Sequence, residues 1–263
     1  MKDKVKILLT NDDGYQAPGL EALFNALSTV ADVTVVAPDR ERSAISLAIT
    51  LADIIRVSPI ENGSLKGFHT TGTPADCVKI GCSELMDSRP DYIFSGINSG
   101  SNVGLNANYS GTVAGAVEGA MLGIPSVAVS LTSYDFHDYR GACQASLKIL
   151  DMIKENPLNQ FELLNINVPS LPLDEIKGMR ISRVSLSSFR EKFDRRTDAR
   201  DREYFWMGGI WNERGADLDG DRFFSDEGYV AVTPLKVDWT AEGTLQRLRE
   251  KGWDQDWNGE IDE

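Results

Sequence analysis

A chain of 263 residues with 40 acidic and 27 basic side chains carries a formal charge of −13, and such a field repels polyanions unless a local basic face or bound cations reverse it. Long nucleic acids are thereby poor candidate partners, and a small phosphate ester is compatible where a divalent metal neutralises charge within its site. With 41% hydrophobic and 25% charged residues, the composition is that of a globular protein rather than a disordered or fibrous one.

Three cysteines, Cys77, Cys82 and Cys143, lack C-x-x-C spacing, so neither a disulfide framework nor a zinc knuckle is indicated and reduced thiols are expected. Residues 1–10 are too short in apolar character for a secretory signal, and no run approaches transmembrane length. A soluble, cytoplasmic protein with no membrane partner is expected.

Residues 5–10 form a short apolar run that predicts a strand, ending in Asn11-Asp12-Asp13-Gly14. Leu20, Leu23, Phe24 and Leu27 then recur at helical spacing over 19–27. Residues 33–37 read as a second buried strand, stopped by Pro38 before a polar loop over 39–46. Residues 49–71 break into short β-like pieces around Glu61-Asn62-Gly63-Ser64, which predicts a hairpin insertion. Regular alternation resumes with a helix over 74–86, a strand over 92–95, a helix over 112–122, a strand over 126–130, a helix over 141–153 and a strand over 163–168 ending at Pro169. Strands alternating with helices predict an α/β core with a mostly parallel sheet over 1–170. Strand-like pieces at 179–184, 203–207 and 229–233 make residues 171–263 a C-terminal β-rich extension, with a surface or docked tail over 251–263 that includes Trp253 and Trp257.

Ligands of open parallel sheets bind outside the carboxyl ends of the strands. Three polar clusters follow predicted strands: Thr10-Asn11-Asp12-Asp13-Gly14, Asp39-Arg40-Glu41-Arg42-Ser43, and Ser95-Gly96-Ile97-Asn98-Ser99-Gly100-Ser101-Asn102. Adjacent carboxylates repel unless a cation or protons compensate, and hard divalent ions prefer oxygen ligands, so Asp12 and Asp13 suit a metal; an Asx-turn or helix cap is the bland alternative. Ser43 and Asn98 can add hydroxyl and amide oxygens to a Mg²⁺ or Mn²⁺ shell, although each is also an ordinary turn residue. Tyr109-Ser110-Gly111-Thr112 stands at a predicted helix start, where free N–H groups and the helix dipole favour an anion such as phosphate. Gly115 and Gly119 further along that helix read as packing residues.

Only His69 and His137 are available, without ligand-spaced partners, which argues against histidine-based zinc and phosphohistidine chemistry. Thr71-Gly72-Thr73-Pro74-Ala75-Asp76-Cys77 reads chiefly as a helix start. Asp217, Asp219 and Asp221 resemble half a calcium loop, but Gly220 is misplaced and no closing Glu follows, so a solvated mobile loop is expected there. Arginines over 190–202 alternate with acids, which predicts an exposed or intersubunit salt-bridged face.

Taken in order, several segments resemble the survival protein SurE family. They are Ile7-Leu8-Leu9-Thr10-Asn11-Asp12-Asp13-Gly14 with Ala17-Pro18-Gly19; Val36-Ala37-Pro38-Asp39-Arg40 with Arg42-Ser43; Gly72-Thr73-Pro74-Ala75-Asp76-Cys77-Val78; Ser95-Gly96-Ile97-Asn98 with Gly100 and Asn102; and Tyr109-Ser110-Gly111-Thr112-Val113. Val232-Thr233-Pro234-Leu235 with Asp238 and Thr240 extends the likeness over most of the chain, while 190–226 matches no motif of the family.

The resemblance implies a Rossmann-like three-layer core, an extension exchanged between subunits of a homodimer or homotetramer, and a divalent-metal phosphatase of nucleoside 5′- and often 3′-monophosphates, some members also cleaving short polyphosphate. It places one Mg²⁺ or Mn²⁺ per subunit on Asp12, Asp13, Ser43 and Asn98, the phosphate against Asn11, Asn102, Ser110, Gly111 and Thr112, and catalysis on Asp12 and Asp13. Either Asp12 attacks phosphorus or a water positioned by an aspartate does so. Two rivals are a haloacid-dehalogenase-like phosphatase, whose Asp-x-Asp pattern is absent, and a module that binds nucleotide without turnover.

Overall fold

The computed structural model describes residues 4–61, 63–135, 138–186, 188–212 and 218–254. Asn62 of the expected turn, His137, Asp217 and Trp257 lie outside them.

The first half alternates as its periodicity requires. Strand β1 (Lys6–Thr10) leads to α1 (Pro18–Leu27), β2 (Asp32–Pro38), β3 (Val57–Pro59), β4 (Gly67–Thr70) and α2 (Pro74–Ile80). There follow β5 (Tyr92–Asn98), α3 (Gly111–Met121), β6 (Ser126–Leu131), α4 (Arg140–Glu155) and β7 (Glu162–Val168). The second half adds β8 (Met179–Ile181), β9 (Ser188–Thr197), β10 (Glu203–Asn212), α5 (Asp221–Asp226), β11 (Val230–Lys236) and α6 (Glu242–Glu250).

Among the described residues, nine strands form one sheet in the order β3-β4-β2-β1-β5-β6-β7-β11-β8. From β4 to β7 every pairing is parallel, while β3 and β11 run antiparallel to their neighbours β4 and β7. A mostly parallel sheet needs cover on both faces, and β1 shows why its sequence is uninterrupted: Ile7 and Leu9 enter the cluster under α1 and α4, while Leu8 enters the cluster under α2. On α1 the apolar stripe Leu20, Leu23, Phe24 and Leu27 is buried, each side chain contributing roughly 1.5–3 kcal/mol. α3 lies close on the opposite face because it has glycines where it meets the sheet: a Cβ on Gly115 would stand 2.8 Å from Ser95 Oγ, and one on Gly119 would collide with Ser126 Oγ. The result is an α/β fold of three layers.

The chain passes from β1 to β2 on one side and reaches β5 on the other, so the strand order reverses between β1 and β5. The crevice outside their carboxyl ends is where such sheets bind ligands.

Several elements differ from the pattern reading. The helix expected over 74–86 remains α-helical only to Ile80 and continues as a π turn over Gly81–Leu85. Gly81 is a weak helix former, and a Cβ there would strike the Leu8 side chain, so close packing on β1 sets the break. The hairpin expected over 49–71 is β3–β4, and β4 also joins the main sheet beside β2. The sheet continues past residue 170, because β11 pairs with β7 and β8 pairs with β11. Among the described residues, only β9 and β10 stand apart, as a two-stranded antiparallel hairpin. The arginines of 190–202 fall on it and beside its turn, and Arg195, Arg196 and Arg202 make exposed ion pairs with Glu203, Asp194 and Asp198.

The expected solvated loop around Asp219 and Asp221 is corrected for Asp221, which is fully buried. Its Oδ2 accepts from Gly104 N (2.9 Å), and its Oδ1 accepts from Ser185 N (3.1 Å), from the Ser185 hydroxyl and from Arg222 N (2.8 Å). A buried carboxylate satisfied by several donors is a tether, and this one holds the second half of the chain to the loop before α3. Among the described residues, no helix is long and apolar enough to cross a membrane.

Candidate active site

β1 delivers its last residues into the crevice. Asn11 closes the turn after it, donating from Nδ2 to the Gly14 carbonyl (2.9 Å). Asp12 is buried, 4% exposed, and its Oδ1 accepts from the Thr112 hydroxyl, one residue into α3. Its carbonyl accepts from Arg42 N (2.7 Å). This bond brings the loop after β2, and with it Ser43, to the same place. Asp13 Oδ2 accepts from Ser99 N at 3.3 Å, which brings up the end of β5 with Asn98. The three clusters read from the sequence therefore meet.

Gly111 makes the meeting possible. A Cβ there would stand 2.7 Å from Asp12 Cβ, 2.8 Å from Asp12 Oδ2 and 3.1 Å from the Arg42 carbonyl, so any larger residue would push the start of α3 off the carboxylate. Ser110 caps the helix, accepting from Val113 N at 3.2 Å. The first N–H groups of α3 have no partner within the helix, and with the dipole they present positive potential beside the aspartates.

The pair carries unfavourable negative charge. Burial pushes the Asp12 carboxyl above its ordinary range, and the Thr112 hydrogen bond offsets only part of that. Asp13 is pushed up to about 6, first by burial and then by the Asp12 charge. Glu41, next to Arg42, acts on both in the same direction. The sequence reading passed over Glu41; its position inside the second polar cluster was the available signal.

The residues present fit a hard divalent cation. Two carboxylates meet in a place that raises both their proton affinities, and the buried Asn11 Oδ1 has no hydrogen-bond partner. Asn98 spends its amide nitrogen on the Gly100 carbonyl (2.7 Å), so its amide oxygen is the end a cation could use. Ser43 lies on an exposed loop with its hydroxyl on Glu41 Oε1 at 2.6 Å. No three His, Cys, Asp or Glu side chains cluster as a metal site among the described residues, so the donor set is oxygen from two acids, a hydroxyl and amides, suited to Mg²⁺ or Mn²⁺ rather than zinc.

Asn102 is bonded to the neighbouring strands β6 and β7. Its backbone N donates to Asn167 Oδ1 (2.8 Å), its Nδ2 to Ser130 Oγ (2.8 Å), and its carbonyl accepts from Asn165 Nδ2 (2.7 Å) and Asn167 Nδ2 (3.1 Å). These bonds anchor the loop after β5 to β6 and β7, a role the sequence did not reveal. Asp76 completes a capping box with Thr73, as the helix start read there requires, and His69 is stacked on Tyr15, ring centroids 4.5 Å apart.

Comparison with known proteins bears on this geometry. The family model described as "Survival protein SurE" matches residues 7–191. The chain is 44% identical over 242 residues to a protein of Methylococcus capsulatus named 5′-nucleotidase SurE, covering 92% of this chain and 95% of the relative. It is 42% identical over 253 residues to the protein of the same name from a Synechococcus strain, covering 94% and 98%. Among solved structures, the crystal structure of the SurE protein from Aquifex aeolicus superposes with a TM-score of 0.82 at 33% identity, covering 94% of this chain and 99% of that one.

Proposed function

From the premise that the chain belongs to the survival protein SurE family, we propose that it is a phosphatase of the 5′-nucleotidase type, hydrolysing nucleoside monophosphates to nucleoside and phosphate with one divalent metal per subunit. The observation that carries the reading is the Asp12–Asp13 pair, short of positive charge, with Asp12 buried against the Gly111–Thr112 start of α3 and Asp13 half-buried beside it.

Asp12, Asp13, Ser43 and Asn98 would hold the metal, Mg²⁺ or Mn²⁺, which when bound would neutralise phosphoryl oxygens and raise the electrophilicity of phosphorus. The phosphate rests against the free N–H groups of α3 at Gly111 and Thr112, with Ser110 capping the helix and Asn11 and Asn102 holding the flanking loops. Asp12 is oriented by Thr112 to position a water for in-line attack. The ester P–O bond breaks, and the leaving oxygen takes a proton to give the nucleoside. Attack by Asp12 itself would instead leave a phospho-aspartate, which acid quench and mass spectrometry would reveal. Cleavage of 3′-monophosphates and short polyphosphate belongs to the same site, since only the terminal phosphoryl group is held closely.

Residues 171–263 are proposed as an oligomerisation element serving a cytoplasmic homodimer or homotetramer. Phe193, Phe205 and Met207 share one face of the β9–β10 hairpin and are 58–65% exposed, and a lone two-stranded hairpin is marginal in water. Phosphate release from a panel of nucleotides with Mg²⁺ or Mn²⁺ tests the reading. Folded, metal-loaded protein that released none would return the chain to the class of nucleotide-binding modules.

A further inference from the structure

The chain enters α3 through a short turn that is fastened at both ends. From Gly104 a 3₁₀ turn of six residues (Gly104–Tyr109) runs to Ser110, the cap of α3, a span of about 12 Å. At its far end the Tyr109 carbonyl accepts from Ser46 N (3.0 Å), and the Asn108 carbonyl accepts from the Ser46 hydroxyl (2.6 Å). At its near end the buried Gly104, with a φ of +59°, donates its N–H to Asp221 Oδ2 (2.9 Å). The helix start that follows has little tolerance, because Gly111 leaves no room for a Cβ beside Asp12.

Asp221 is a fully buried acid that the proposed chemistry does not use, 117 residues beyond Gly104 in the chain. Its two oxygens serve different parts of the molecule. Oδ1 accepts from Ser185 N (3.1 Å), from the Ser185 hydroxyl and from Arg222 N (2.8 Å), and Ser185 stands just before β9, which itself lies against the turn. Oδ2 accepts from Gly104. Donors therefore face both oxygens, a demand that a carboxylate meets and an amide cannot, because an amide has one accepting end and one donating end. An Asn at this position would keep its oxygen on the side with more donors and turn its NH₂ on the N–H of Gly104.

We propose that Asp221 is a positioning residue for the phosphate-holding end of α3: through Gly104 it fixes the turn that sets where that helix begins. The inference rests on the phosphate being held at the start of α3.

Asp221→Asn is compared with Ser225→Ala, which removes a hydroxyl that donates to the main-chain carbonyl of Asp221 (2.9 Å) and leaves the carboxylate bonds intact. In Asp221→Asn, KM for AMP and the inhibition constant of inorganic phosphate are expected to rise together about 2- to 30-fold, the range for substitutions that touch no ligand. The kcat should stay within about twofold, since binding common to ground and transition states is what is lost. In Ser225→Ala both constants should match the wild type although the melting temperature falls. An Asp221→Asn protein that melts lower but keeps wild-type KM and phosphate inhibition overturns the proposal, because a merely structural bond behaves in that way. Amide hydrogen exchange of the wild type, read by mass spectrometry with and without inorganic phosphate and Mg²⁺, decides the matter even where Asp221→Asn does not fold. Phosphate is expected to slow exchange at the start of α3, over 104–109 and at Ser185 together, since coupling between sites is reciprocal. Protection confined to the start of α3 overturns the proposal. If no ester is hydrolysed and the three segments are still protected together, the positioning role stands and the phosphatase reading fails; if phosphate protects none of them, both fail.

Discussion

The crevice at the ends of β1 and β5 and the β9–β10 hairpin solve opposite problems. Around the crevice, groups distant in sequence hold one another: Thr112 bonds Asp12, Arg42 bonds the carbonyl of Asp12, and Ser99 bonds Asp13. What is unmet there is charge. On the hairpin Arg195 pairs with Glu203 across the strands and Arg202 with Asp198 in the turn, and what is unmet is apolar surface, with Phe193, Phe205, Trp206 and Met207 more than half exposed. A site short of positive charge asks for a cation and a phosphate ligand, and an arm short of apolar cover asks for another protein surface.

If that contrast is right, the two regions fail separately. Asp12→Asn removes one of the two carboxylates and is expected to lower kcat/KM by at least about 100-fold, since a metal supplies several kcal/mol of transition-state stabilisation. Far-UV circular dichroism and sedimenting mass should not change. Activity near wild type in that variant would remove the carboxylate pair from the reaction. The hairpin should behave the other way. Phe205→Asp with Met207→Asp is expected to weaken self-association roughly 10- to 100-fold, read as a shift to smaller species in sedimentation, with the core fold retained. An unaltered mass would show that the arm is not an interface.

Gly111→Ala sharpens the first half of the comparison. Its Cβ would stand 2.7 Å from Asp12 Cβ, so the helix start must shift by a fraction of an ångström. Misplacement on the order of 1 Å can cost about 100-fold; a loss of roughly 10-fold in kcat/KM is expected, with a melting temperature within a few degrees of wild type. Equal activity in Gly111→Ala would mean that the closeness of α3 to Asp12 is incidental to turnover.

The same contrast explains what the sequence could and could not disclose. Strand-end clusters were legible because apolar runs such as 5–10 stop abruptly at polar residues, and α1 was legible because Leu20, Leu23, Phe24 and Leu27 keep a helical period. The bond from Thr112 to Asp12 joins residues 100 apart, and no local pattern encodes it. β11 also pairs with β7 across a long stretch of sequence, Ala231 opposite Asn167 and Lys236 opposite Glu162, which is why the core was expected to close at residue 170. β9 carries mostly charged residues, so its strand character arises from pairing with β10 rather than from alternation. Asp221 looked solvated because acids surround it in sequence; only the fold brings Gly104 and Ser185 to it. α6 keeps just Leu245 and Leu248 in its nine residues, too few to register as an apolar stripe.

The smallest effect concerns a carboxylate on the site's flank. Asp76 is buried, 3% exposed. It accepts from Thr73 N (2.9 Å), Thr50 N (3.0 Å) and Thr50 Oγ1 (2.6 Å), fastening the segment around Thr50 to α2. Burial alone would raise its carboxyl, but the bonds from Thr50 and Thr73 outweigh it and hold the group below its ordinary 3.8. A carboxylate whose native value is depressed contributes stability that is fully present above the unfolded value, about 3.9, and lost as pH falls through the native one. Asp76→Asn is therefore expected to cost roughly 1–3 kcal/mol between pH 5 and 8, read by urea denaturation. The gap from wild type should close only as the medium is taken below about pH 4. Because none of these bonds reaches the hairpin, the self-association of Asp76→Asn should match that of the wild type across the same range. A gap that instead narrowed near neutral pH would place the sensitivity elsewhere, and a change in mass would show that the flank of the crevice and the arm are coupled after all.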